Sequence, residues 1–68
     1  GEPETFATRL KREEKELSEK LEKLEAFING NVQFDWLDMF EQNDLREQLA
    51  SMKEYQGTLA RRLARQVG

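Results

Sequence analysis

The sequence predicts an all-α fold: an antiparallel helical hairpin with a short aromatic elbow helix, assembling into a homo-oligomer. Three observations predict it. Apolar residues recur at spacings of three, four and seven over two long stretches, which is a helical and not a strand period. Between the stretches lies one short break containing Asn29-Gly30-Asn31. The chain has 68 residues, no Cys and no His, so disulfides and thiolate metal sites cannot support a core this small. Self-association is the support that remains. The whole chain, 1–68, reads as one domain.

The first helix is expected over about 4–29. Pro3-Glu4 suits a first turn, since Pro fits the first helical position and Glu favours the positive end of the helix dipole. Ala7, Leu10, Leu17, Leu21, Leu24 and Ile28 form its apolar stripe. Gly30 is expected to end it in a left-handed cap. The elbow is expected over 30–42. Asp35 is the candidate cap of a short helix over 36–40. Phe34, Leu37 and Phe40 then share one face and pack against both long helices. The last helix is expected over about 43–66, with Asn43 or Asp44 as its cap. Leu45, Leu49, Met52, Leu59 and Leu63 make its stripe. Glu14 and Gln56 occupy stripe positions that should be apolar, and polar groups on a seam can fix register. Gly57 either is tolerated inside this helix, at about 1 kcal/mol relative to Ala, or marks a close approach by a backbone or ligand.

Composition narrows the function classes. Charged residues are 37% of the chain, the net charge is −3 and the mean hydropathy is −0.90. The longest apolar run is 26–28, so no stretch predicts a membrane span. No signal-peptide apolar region is legible, which predicts an intracellular protein. The overall acidity argues against duplex DNA as partner, which wants a broad basic face. Charge is unevenly spread: residues 30–50 carry five acidic groups against one basic, and residues 51–68 one acidic against four basic. A few local cations can still hold a small anion.

The reactive residues are sparse. Ser18, Ser51, a Thr or a Lys would need a base, and no His exists to serve. Pairs such as Glu13/Glu16 and Glu41/Asp44 have helical spacing but read as solvated charge. Bundle metal sites usually need Glu-x-x-His motifs. The expectation is no enzyme, no cofactor, no catalytic residue and no metal site. Phe6, Arg9 and Arg12 lie within two turns; Phe6 can stack on a planar base and Arg9 can fork onto a phosphate, or Phe6 begins the core and the arginines are solvated. Lys20 and Lys23 read as partners of Glu16 and Glu19 at i, i+4, or as cations turned toward a phosphate. Arg61, Arg62 and Arg65 complement the helix C-terminus, or build an anion-binding wall where copies meet. Tyr55 reads as core or as a pocket wall.

The order of these pieces resembles a family of small phage proteins. Phe6-Ala7-Thr8-Arg9-Leu10 matches its aromatic-x-x-Arg-aliphatic opening. Lys23-Leu24-Glu25-Ala26-Phe27-Ile28 matches its Lys-Leu-x-x-Phe-Ile stretch. Gln48, Met52, Tyr55, Leu59 and Arg62 follow its Gln-x-x-x-Met-x-x-Tyr-x-x-x-Leu-x-x-Arg stretch. The family includes crAss-like-phage small proteins and the second class of anti-CBASS proteins. The likeness covers about residues 5–63. It implies a helical hexamer that binds cyclic oligonucleotide second messengers without cleaving them, and so starves CBASS effectors in the cytoplasm of the infected bacterial host. The implied ligands are cyclic dinucleotides such as 3′,3′-cGAMP, held between subunits, and in some members cyclic trinucleotides at separate pockets. The family's opening aromatic, commonly Tyr, matches Phe6, which keeps the stacking face and lacks the hydroxyl. Its Arg matches Arg9, its first-helix Lys matches Lys20 or Lys23, and its last Arg matches Arg62. Arg61 and Arg65 extend that match toward the trinucleotide pocket. The rival reading is a helical protein–protein interaction module with no nucleotide ligand.

Overall fold

The computed structural model describes residues 5–67, with the backbone alone for Val67. These residues are almost entirely helical: α1 spans Phe6–Gly30, α2 spans Val32–Asp35 and α3 spans Met39–Val67. The side-chain contacts between α1 and α3 pair early positions with late ones: Phe6 with Arg62, Glu13 with Tyr55, Ser18 with Gln56 and Glu25 with Lys53. The two long helices therefore run antiparallel, with α2 at the closed end.

Pro3 and Glu4, where the sequence starts the first helix, lie outside the described residues. Within them Thr5 is the cap. It is extended, and its hydroxyl accepts from the Thr8 amide at 3.1 Å, satisfying a donor that the first turn leaves orphaned.

The left-handed cap expected at Gly30 does not form. No described residue has positive φ, and Gly30 closes α1 as an ordinary helical residue. Asn31 does the work instead. Its backbone is extended, its amide still reaches the Phe27 carbonyl at 3.2 Å, and its side-chain oxygen takes the Gln33 amide at 2.8 Å. One residue thus ends α1 and caps α2, which removes the need for a left-handed turn.

The elbow helix consequently comes earlier than expected, at 32–35 and not 36–40. Asp35 lies inside it and is not its cap. The last helix also starts earlier. Asp38, and neither Asn43 nor Asp44, caps it, accepting from the Glu41 amide at 2.8 Å. Gln42 then ties the elbow down. Its side-chain amide donates to the Leu37 carbonyl at 2.9 Å and the Phe34 carbonyl at 3.1 Å. The Phe34 carbonyl already accepts the Leu37 amide at 3.1 Å, and Gln42 adds a second donor to it and a donor to the Leu37 carbonyl between the helices.

The core is thin. Only Leu10, Leu21, Phe34 and Leu59 are buried among the described residues. The remaining stripe leucines, Ile28 and Met52 are half-buried. Phe34 meets Phe27 edge to face, with centroids 5.9 Å apart, and the Arg46 guanidinium lies 5.0 Å from its ring centre. Phe40, expected on the packed aromatic face, is 81% exposed, and Trp36 and Met39 stand out beside it. The reason is the early start of α3: it turns Met39 and Phe40 away from the seam, so of the expected face Phe34 is buried, Leu37 is half-buried and Phe40 is exposed. A radius of gyration of 15.4 Å, against about 11 Å for a compact domain of this length, reflects the elongated two-helix shape.

Ser18 links the two polar seam positions, Glu14 and Gln56. Ser18 donates to Glu14 at 2.9 Å and receives the Gln56 side-chain amide at 2.7 Å. The skipped stripe positions are thus a hydrogen-bonded chain across the helix pair. Gly57 has no backbone near it; a Cβ there would meet only the Arg61 side chain, at 3.7 Å. Of its two readings, the structure favours simple tolerance within the protomer.

Candidate functional site

At the end opposite the elbow, the first turns of α1 and the last turns of α3 enclose a groove of about 330 Å³, lined by Phe6, Arg9, Leu10, Glu13 and Arg62. Helical spacing explains the lining. Phe6, Arg9 (or Leu10) and Glu13 follow at three and four residues, so they share one face of α1. Leu10 is buried and forms the apolar floor, while Phe6 remains 52% exposed. From α3, Arg62 reaches across, placing its guanidinium carbon 5.8 Å from the Phe6 ring centre. That distance lies within the range of a cation–π contact.

The electrostatics of the groove are uneven. Arg9 and Arg62 make no ion pair with any described residue, although Glu13 lies in the same groove. Glu13 instead accepts the phenol hydroxyl of Tyr55. Two guanidiniums and an exposed aromatic face therefore border one hollow. Such a set can fork onto a phosphate and stack on a planar base.

The other sequence-derived candidates sit elsewhere. Lys20 and Lys23 are exposed on α1, about 16 and 21 Å beyond Arg9 at 1.5 Å of rise per residue. A single chain does not bring them to the groove. Arg61 points along a different face of α3, where it donates to the Thr58 hydroxyl at 3.2 Å. Arg65 is exposed one turn further on. So Phe6, Arg9 and Arg62 converge, whereas Lys20, Lys23, Arg61 and Arg65 do not join them.

By spacing alone Glu13 reads as solvated charge and Tyr55 as core or pocket wall. The structure puts Glu13 in the groove wall and Tyr55, 43% exposed, against it. The i, i+4 relation of Arg9 and Glu13 was the available clue. A second hollow, of about 300 Å³, lies at the elbow and is lined by Ile28, Asn29, Gly30, Asn31, Val32 and Asp35. It holds an acid and no cation, the wrong charge for an anion. Among the described residues, no group of three His, Cys, Asp or Glu is placed to hold a metal. No helix there is long and apolar enough to cross a membrane.

Fold and groove together define a small all-helical protein with a cationic, aromatic-sided hollow at its open end. The sequence matches the Sequestin family model over residues 4–65, nearly its full length, and the chain belongs to that family. The family's name speaks of sequestration. Neither the curated proteins nor the solved structures give a match.

Proposed function

We propose that this protein binds and sequesters cyclic oligonucleotide second messengers without cleaving them, and so blocks the activation of CBASS effectors. The observation that carries the reading is the exposed Phe6 ring with Arg62 against it and Arg9 in the same groove. A cyclic dinucleotide such as 3′,3′-cGAMP offers two bases and two phosphates. Each half would be met by one aromatic face and its guanidiniums, and a two-fold pairing of identical chains would supply both sets. Membership of the Sequestin family supports sequestration. The resemblance to anti-CBASS phage proteins supplies the ligand class, the hexamer and the setting in the infected bacterial cytoplasm. Lys20 or Lys23 would reach the ligand from a neighbouring subunit, and Arg61 with Arg65 would serve a trinucleotide. Holding a ligand needs no acid, base or nucleophile, so the reading assigns no enzyme activity.

Titration calorimetry with 3′,3′-cGAMP tests this. The expected result is tight binding at about one ligand per two chains by that symmetry argument, with intact cyclic nucleotide recovered after the protein is denatured. Cyclic tri-adenylate added to the saturated complex would then report any separate pocket. Linear nucleotide in the recovered ligand would sink sequestration, and no binding would remove the nucleotide reading.

One observation favours a second reading, a helical protein-interaction module. Trp36, Met39 and Phe40 stand more than two-thirds exposed at the elbow, far from the groove. Under the first reading, copies of the chain would cover them. Under the second, function survives Arg9→Ala and Arg62→Ala but not Trp36→Ala.

A further inference from the structure

The groove contains a carboxylate that works against an anionic ligand, and the structure places a partner on that carboxylate. Glu13 lies four residues after Arg9 on the same face of α1, the spacing at which oppositely charged side chains pair. Both line the groove, as does Arg62. Yet neither arginine is ion-paired with a described residue. The Glu13 carboxylate is taken by the Tyr55 hydroxyl from α3, and Arg62 lies over Phe6 instead.

Without that phenol, Glu13 would be open to Arg9, one turn back on the same face, and to Arg62 across the groove, since all three line it. A guanidinium engaged by a carboxylate must give up that contact before it meets a phosphate. A ligand then gains only the difference between the two.

We propose that Tyr55 is a positioning residue of the groove: by donating to Glu13 it holds that carboxylate away from Arg9 and Arg62, which keeps both guanidiniums available to a phosphate-bearing ligand. The phenol need not touch the ligand. The proposal rests on the reading that this groove takes an anion, and it names the side chain that sets the groove's working charge.

The test is a double-mutant cycle of Tyr55→Phe and Glu13→Gln, titrated with 3′,3′-cGAMP. Tyr55→Phe should weaken binding by about twofold to fivefold, the span of an exposed ion pair. Glu13→Gln should bind at least as tightly as the unaltered chain. In the Glu13→Gln background, Tyr55→Phe should change nothing further. An equal loss in both backgrounds would overturn the proposal, because it would mean that Tyr55 acts by contact or by packing.

A ligand-free measurement keeps the two readings separate. The Nε–H resonances of Arg9 and Arg62 should shift in Tyr55→Phe and return in the double variant. If they stay in place, the proposal fails even where the unaltered chain binds the nucleotide. If they shift while the unaltered chain binds nothing, Tyr55 does position Glu13 and the nucleotide reading is what fails.

Discussion

Each end of the molecule sets an arginine against a phenylalanine, and the two pairs differ in what surrounds the ring. At the elbow, Arg46 lies 5.0 Å from the centre of Phe34, whose ring is 2% exposed and also meets Phe27. At the open end, Arg62 lies 5.8 Å from the centre of Phe6, whose ring is 52% exposed beside a hollow and a second arginine. The pair chemistry is the same. Burial decides its use. A ring with no free face can only stabilise, and its arginine is a lid. A half-exposed phenylalanine, beside a guanidinium with no ion pair among the described residues, still has a face open to solvent.

Substitutions at the two ends should separate these uses. The largest effect is expected from Phe34→Ala, which should cost about 3–5 kcal/mol, a large share of what so small a chain has. Thermal or urea unfolding measures it, and a loss under about 1 kcal/mol would contradict the elbow's role as the core. Next comes Arg62→Ala. It should weaken 3′,3′-cGAMP binding about tenfold or more, the scale of a charged hydrogen bond, with little change in unfolding. An equal loss of stability and affinity would erase the contrast between the ends. Gln42→Ala should cost about 1–3 kcal/mol by leaving the Leu37 carbonyl short of its side-chain donor, with nucleotide affinity unchanged. Arg46→Ala is the smallest. It should cost about 0.5–1 kcal/mol and leave titrations with the nucleotide as they were.

The two long helices and their facing stripes were legible because periodicity is a repeated signal: many residues must agree on it. Leu10, Leu21 and Leu59 all came from the expected stripes, and Glu14 and Gln56 stood out because they interrupt them. The elbow was harder to read. Asn31, Asp35, Asp38, Asn43 and Asp44 can all cap a helix, so composition alone does not choose among them. The choice fell to Asn31 and Asp38 because those positions let Phe34 point inward and let Gln42 reach back to its carbonyl. That is a tertiary outcome. At the other end, Phe6 and Arg9 shared a visible helical face, and Arg62 followed from the resemblance. The Glu13–Tyr55 contact was not legible. It joins residues on different helices, and its geometry depends on how α1 and α3 meet.

The position of the groove has a kinetic consequence. The elbow is closed by contacts between residues near in sequence, such as Phe27 with Phe34 and Gln42 with Leu37. Phe6 and Arg62 meet only when nearly the whole chain has come together. Loop closure costs more as the loop lengthens, so folding is expected to begin at the elbow and zip toward the open end. Unzipping runs the other way, since helix termini open at the lowest free energy. Backbone amide exchange should therefore quicken steadily from Leu37 toward Arg9 and Arg62, and a ligand bridging those two arginines would clasp the last-formed turns and flatten the gradient.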